Sequence, residues 1–398
     1  MNTPTKGLCE KPVVRPDDPR FSSGPCKKHP GWSLSNFSLD NLGRSHRASV
    51  PKSRLNEAIT RSAKLLALPD DWQLGIVPAS DTGAFELALW SMLGQRGVDV
   101  FVWESFSSDW ANDIQAQLKI DDLNIYKAEY GELPDLNQAK ADRDTVFVYN
   151  GTTSGVRVPN MDWVSAEREG IVFCDATSAA FAMELDYEKL DVVTWSWQKV
   201  LGSEGGFGML ALSPSAIQRL ESYQTDRPLP KIFRVTKKGK LDGAIFKGAT
   251  INTPSMLALE DLHSALDWAD SIGGLSALFQ RCQNNFNVVD EWVAKTAWID
   301  WLPSNETTRS NTSLCLKIVD ESFIELSEEA QQKVIKILCQ WLEEEGVAFD
   351  IAAYRSAPPG FRLWGGATIE ASDLESLLPW LDWVYQRWVN AECIKEKV

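Results

Sequence analysis

Between Gly75 and Leu212 the chain alternates short apolar runs with helix-period stretches. The runs Gly75–Val77, Val98–Trp103, Thr145–Tyr149, Ile171–Cys174, Val192–Trp195 and Met209–Leu212 have the length and continuity of strands buried on both faces. Ala84–Leu93 and Trp110–Leu118, lying between such runs, are apolar at helical spacing. Strands alternating with helices predict an α/β fold, with a mostly parallel sheet covered on both sides. In such sheets ligands bind beyond the carboxyl ends of the strands.

The texture then changes. Pro254–Val293 is helical in pattern and is expected to bridge two domains. Beyond it, Ser313–Val319, Ala348–Tyr354 and Gly360–Trp364 read as strands, Glu328–Glu345 as an amphipathic helix and Leu374–Val389 as a closing helix. These form a smaller α+β domain of about 100 residues, a usual domain size. Residues 1–20, with Pro4, Pro12, Pro16 and Pro19, read as an extended arm. The expected division is an arm at 1–20, a large domain at 21–270 and a small C-terminal domain at 271–398. A chain of 398 residues exceeds one ordinary core, which agrees.

Composition narrows the function classes. The net charge of −15 disfavours non-specific binding to nucleic acid or membranes, which needs basic surface. Seven cysteines without a C-x-x-C fit a reducing cytoplasm better than a disulfide framework, and no metal site is expected. The N-terminal stretch is polar and Pro-rich, unlike a signal peptide. The Asn-x-Ser/Thr matches at Asn36, Asn150, Asn305 and Asn311 are therefore read as chance. The 17 Trp are scattered and read mostly as packing.

Four segments carry chemistry. DVVTWSWQKVLG, at 191–202, runs a buried strand into Lys199 and a Gly-rich turn. A charged, unpaired lysine there is costly. It either snorkels to the surface or acts as an amine of lowered pKa that condenses with a carbonyl. The strand IVFCD ends in Asp175, 24 positions before Lys199 (199 − 175 = 24). A carboxylate there either caps a helix or keeps a pyridine nitrogen protonated, as pyridoxal phosphate requires. IVPASDTGAFELAL, from Ile76, opens a helix with Ser80, Thr82 and Gly83 as candidates and Asp81 in the same turn, and a helix start can hold a phosphate. YNGTTSGV, from Tyr149, follows a strand and is rich in hydroxyls; an ordinary polar turn reads the same way.

Together with FSSGP at 21–25, SHR at 45–47 and NTP at 252–254, these segments resemble the phosphoserine aminotransferases. That family lies in class V of the fold-type I pyridoxal-phosphate aminotransferases, and the resemblance runs from about Arg20 to the last helix. It implies a large domain with a mostly parallel seven-stranded sheet and a smaller α+β domain. It implies Lys199 as the Schiff-base lysine, Asp175 at the pyridine nitrogen and Gln198 at the cofactor phosphate. Ser80, Asp81 and Thr82 form the phosphate turn, and Thr152 meets the ring hydroxyl side or the phosphate side. Phe106, or alternatively Trp110, stacks on the ring. Asn252 and Thr253 reach the partner's cofactor in a homodimer with shared sites. Arg47 and Arg362, with His46 and Arg355 near them, bind the acid groups of substrate. This loop runs one residue longer than the family pattern near Arg355.

The implied reaction exchanges an amino group between O-phospho-L-serine and 2-oxoglutarate, giving 3-phosphooxypyruvate and L-glutamate. The resemblance also implies action on 4-phosphooxy-L-threonine, and so roles in serine and pyridoxine biosynthesis. Rival expectations are another class V enzyme, such as a serine–glyoxylate aminotransferase or a cysteine desulfurase, and a non-catalytic cofactor-holding protein. A desulfurase needs a reactive cysteine on a loop, whereas Cys315 and Cys339 fall in a strand and a helix.

Overall fold

A computed structural model describes residues 10–391. Residues 1–9 of the expected arm, Pro4 among them, lie outside the described residues. The main sheet is built from β1 (Gln73–Pro78), β2 (Val98–Val102), β3 (Leu123–Lys127), β4 (Asp144–Val148), β5 (Val172–Asp175), β6 (Val192–Ser196) and β7 (Phe207–Leu212). Their order is β1-β7-β6-β5-β4-β2-β3. β7 is antiparallel to both of its neighbours, and the remaining pairings are parallel. Six strands therefore point one way, and their carboxyl ends share one edge of the sheet.

The sequence explains this. β2, β4, β5, β6 and β7 are buried at every position, as continuous apolar runs with helices on both faces require. β3 is half-buried at the sheet edge, and its mixed pattern, LNIYK, hides it from an apolar-run reading. Helices α1 (Ser49–Leu65), α2 (Ser80–Met92), α3 (Ser105–Asn112) and α4 (Pro214–Ser222) accompany the sheet. α2 is buried on most of its surface and packs on β1, β6 and β7.

The helical stretch after Pro254 is two helices, α5 (Met256–Ile272) and α6 (Leu275–Val293). They part at Gly273 and Gly274, whose φ values of 114° and 71° suit residues without a Cβ. β8 (Ile299–Trp301), β9 (Ser313–Ile318) and β10 (Gly360–Trp364) make a three-stranded antiparallel sheet. α7 (Glu328–Glu344) and α8 (Ala371–Asn390) complete this part. The strand expected at Ala348–Tyr354 does not form. Asp350 sits at φ 59°, and only isolated bridges involve Phe349 and Ala352. Phe349 N–H instead donates to the Pro19 carbonyl, and Trp364 N–H to that of Phe21.

The described part of the arm is extended and docked. Asp373 accepts the Asp17 N–H at 2.9 Å and the Lys27 ammonium at 2.8 Å, and Trp380 donates its indole N–H to the Val14 carbonyl. These ties carry Ser23, Gly24 and Cys26 to the carboxyl edge of the main sheet, where Cys26 N–H meets the Gln198 carbonyl at 3.0 Å. Among the described residues, no helix is long and apolar enough to cross a membrane.

Candidate active site

The carboxyl ends of the strands converge on a cavity of about 170 Å³. From β1 the chain turns into α2 and presents Ser80, Asp81 and Thr82. From β2 it presents Glu104, then Phe106 and Trp110 on α3. β4 supplies Val148, Asn150 and Thr152; β5 supplies Asp175 and Thr177; β6 supplies Ser196, Gln198 and Lys199. Gly24 of the arm closes one side.

The β1–α2 turn is tight. Ala79 and Ser80 hold φ values of 68° and 54°, an arrangement that costs energy and collects at functional sites. Space is scarce around it. A Cβ on Gly83 would lie 2.1 Å from the Pro78 carbonyl oxygen, and one on Gly208 would lie 2.1 Å from that of Ser80. The glycines let backbone approach backbone, so the first turn of α2 opens at the cavity.

Lys199 is buried, and its Nζ donates to the Ser23 carbonyl oxygen. Burial holds its pKa below the ordinary lysine range; the Arg362 guanidinium pushes the same way, while Cys26, Asp175 and Glu104 oppose. Such an amine is more readily neutral and nucleophilic than a surface lysine. The snorkelling reading therefore does not hold. A Cβ on Gly24 would lie 2.5 Å from Nζ, so the arm backbone passes directly against the lysine tip.

Asp175 is buried at the end of β5. Its Oδ2 accepts the Trp110 indole N–H at 3.1 Å, and its Oδ1 accepts the Thr177 backbone N–H at 3.0 Å. It both caps the following turn and faces the cavity. Thr152 donates its hydroxyl to Ser178 at 2.9 Å. Glu104 is also buried, and burial pushes its carboxyl up to about 7, with the Asp175 charge adding to the rise. The Ser107 backbone N–H and the Thr153 hydroxyl, at 2.7 and 2.8 Å, hold it in place and oppose that shift.

The other expected residues lie apart from this cavity. Arg362 is half-buried on β10 and close enough to Lys199 to act on its charge. Arg355 is exposed on a loop whose Ser356 hydroxyl contacts those of Ser105 and Tyr130, joining the loop to the start of α3. Arg47 is exposed and His46 half-buried. Asn252 and Thr253 are exposed and do not line their own chain's cavity.

Glu104, Thr177, Ser196 and Gly24 line the cavity without having been singled out. Asn150 lies in the YNGTTSGV segment, yet by itself had drawn only a glycosylation match. The rule that ligands sit past strand carboxyl ends, applied strand by strand, would have found Glu104, Asn150 and Ser196.

The cavity fits pyridoxal phosphate. Asn150 Oδ1, Thr177 Oγ1 and Gln198 Oε1 are buried, belong to lining residues and have no hydrogen-bond partner in the chain. Unmet polar atoms beside an amine, a carboxylate and an open helix start suit a polar ligand with an aldehyde, a ring nitrogen and a phosphate.

No protein-family model matches the chain. A phosphoserine aminotransferase of Methanosarcina barkeri is 56% identical over 375 residues, 94% of this chain and 99% of the relative. Another, of Methanosarcina mazei, is 57% identical with the same coverage. In structure, a phosphoserine aminotransferase of Cytophaga hutchinsonii superposes with a TM-score of 0.75 at 17% identity, over 92% of this chain and 98% of that one. The fold is that of fold-type I pyridoxal-phosphate aminotransferases. By the length and closeness of the two Methanosarcina matches, the chain belongs to the phosphoserine aminotransferase family, whose members are pyridoxal-phosphate-dependent transaminases.

Proposed function

We propose that the protein is a cytoplasmic, homodimeric phosphoserine aminotransferase. It exchanges an amino group between O-phospho-L-serine and 2-oxoglutarate, giving 3-phosphooxypyruvate and L-glutamate. It also takes 4-phosphooxy-L-threonine, and so serves serine and pyridoxine biosynthesis. The observation that carries this reading is a buried amine and a buried carboxylate, Lys199 and Asp175, on one cavity in a chain of this family.

Pyridoxal phosphate, when bound, supplies an aldehyde for amines and a ring that accepts the electron pair released at Cα. Lys199 would hold the cofactor through its amine and, when free, would take and return the Cα proton of substrate. Asp175 holds a proton at the ring nitrogen. The first turn of α2 and Gln198 meet the phosphate, the turn through its backbone and the Ser80 and Thr82 hydroxyls. Thr152 contacts the ring hydroxyl or the phosphate. Phe106 or Trp110, both on the cavity wall, would cover the cofactor ring, and the Trp110 indole N–H is engaged with Asp175.

Arg362 binds the α-carboxylate. Arg47, beside His46, and Arg355 bind the phosphate or the glutamate side chain, through the paired hydrogen bonds a guanidinium offers. Asn252 and Thr253, exposed and away from their own cavity, complete the partner's site. The desulfurase alternative is disfavoured, because burial pushes the Cys315 and Cys339 thiols up to about 12.

The test is turnover with phosphoserine and 2-oxoglutarate, followed as glutamate formed, against serine as donor. Phosphoserine is expected to be the better substrate, and Arg47→Ala to erode that preference by about ten- to a hundredfold, the loss of one charge-assisted contact. Equal use of serine and phosphoserine would reassign the protein to a general class V aminotransferase.

A further inference from the structure

A buried polar cluster joins the wall of the cavity to the three-stranded sheet. Asn150 and Thr152 line the cavity, Ser178 lies in the turn after β5, and Thr312 immediately precedes β9. All four side chains are buried, Thr312 completely.

The hydrogen bonds fix the direction of each group. The Thr312 hydroxyl donates to the Ser178 carbonyl at 2.9 Å, and the Ser178 hydroxyl donates to the Asn150 carbonyl at 3.0 Å. The Thr152 hydroxyl donates to Ser178 Oγ at 2.9 Å. With their protons given to carbonyl oxygens, Ser178 and Thr312 meet the Asn150 side chain as acceptors only. Asn150 Nδ2 donates to both, at 2.9 and 3.0 Å. This holds the amide in one orientation and leaves its Oδ1 buried without a partner in the chain.

Thr312 is itself held firmly. Its backbone carbonyl accepts the Gly365 N–H at 2.7 Å, and its own N–H donates to Ser310 Oγ at 3.2 Å. Ser310 N–H in turn reaches the Gly155 carbonyl at 2.8 Å. A Cβ on Gly155 would lie 2.9 Å from that of Cys315, so the YNGTTSGV turn rests directly on β9. Asn311, next to Thr312, donates to the Ala182 carbonyl at 3.2 Å.

We propose that Thr312, acting through Ser178, is a positioning residue for the cofactor. Its hydroxyl sets the Asn150 amide and the Thr152 hydroxyl on the cavity wall, so a residue that touches no ligand governs how tightly pyridoxal phosphate is held. A group that fixes a ligand contact shares in the affinity of that contact. The proposal rests on the cofactor contact proposed above for Thr152.

Thr312→Val keeps nearly the same shape and removes the hydroxyl; Thr312→Ser keeps the hydroxyl and removes a methyl group. A packing role alone would make the serine variant the worse one. The loaded protein is dialysed to equilibrium against falling concentrations of pyridoxal phosphate. Thr312→Val is expected to bind it about tenfold more weakly than wild type, and Thr312→Ser within about threefold. Thr152→Val also weakens binding. Because the two hydroxyls act in one chain, the double variant Thr152→Val, Thr312→Val loses less than the product of the single losses.

Wild-type affinity in Thr312→Val, a serine variant no better than the valine one, or losses that multiply would overturn the proposal and leave the Thr152 contact standing. Unchanged binding in Thr152→Val would remove that contact, and the proposal with it. Should Thr312→Val not fold, Ser178→Ala, which cuts Thr152 from the cluster, takes its place in the double-variant comparison, with the same losses expected and the same results against it. The readout is cofactor binding, so it stands even if phosphoserine proves not to be the substrate.

Discussion

At Lys199 the chain holds an amine beside backbone carbonyl and aromatic surface, out of contact with bulk water, which is what lowers its proton affinity. Lys199 and Asp175 were both legible in the sequence, because a charged residue ending an apolar strand conflicts with burial unless chemistry uses it. Glu104 was not legible. In WESFSSDW it reads as a polar turn, and only the fold reveals that both its oxygens are engaged by Ser107 and Thr153 out of solvent. With a carboxyl raised from 4.5 to about 7, it binds its proton more tightly folded than unfolded. Its contribution is full below 4.5 and is lost as pH rises through about 7, on the order of 3 kcal/mol. Urea unfolding of cofactor-free Glu104→Gln across that range is expected to show a flatter pH profile than wild type. Parallel profiles would mean that Glu104 is ionised throughout.

Among the elements, the β1–α2 turn joins fold to site most closely. Gly83→Ala would press a methyl group against the Pro78 carbonyl, 2.1 Å from the added carbon, with backbone that cannot yield cheaply. The expected loss is about 1–3 kcal/mol in denaturant unfolding, with weaker retention of pyridoxal phosphate on dialysis. Unchanged stability and retention would show that the turn can relax. The buried strands were readable because apolar runs of that length have few other uses. β3 and β8 escaped: one is a half-buried edge strand, the other three residues long. Ala348–Tyr354 misled because its apolar residues serve loop and arm contacts, and Asp350 at positive φ breaks the extension.

For the whole molecule, a net charge of −15 repels a doubly acidic substrate at long range, although salt screens this beyond ~8 Å. On the function proposed above, selection then falls to short contacts by arginine. Arg362 stands close to Lys199, while Arg47 is exposed and Asn252 and Thr253 lie off their own cavity, as residues completing a neighbour's site would. Mixing Lys199→Ala chains with Asn252→Ala, Thr253→Ala chains should restore activity that neither parent has, since one hybrid site is intact on both sides. No recovery on mixing, with hybrid dimers demonstrated, would place each site within one chain. The central claim is that chemistry runs through Lys199, and borohydride reduction of the protein loaded with pyridoxal phosphate tests it most directly. Reduction turns the lysine–cofactor bond into a stable amine that peptide mapping can locate. The account predicts one cofactor per chain, on the peptide carrying Lys199; attachment to a different lysine, or full occupancy in a Lys199→Ala protein, would contradict it.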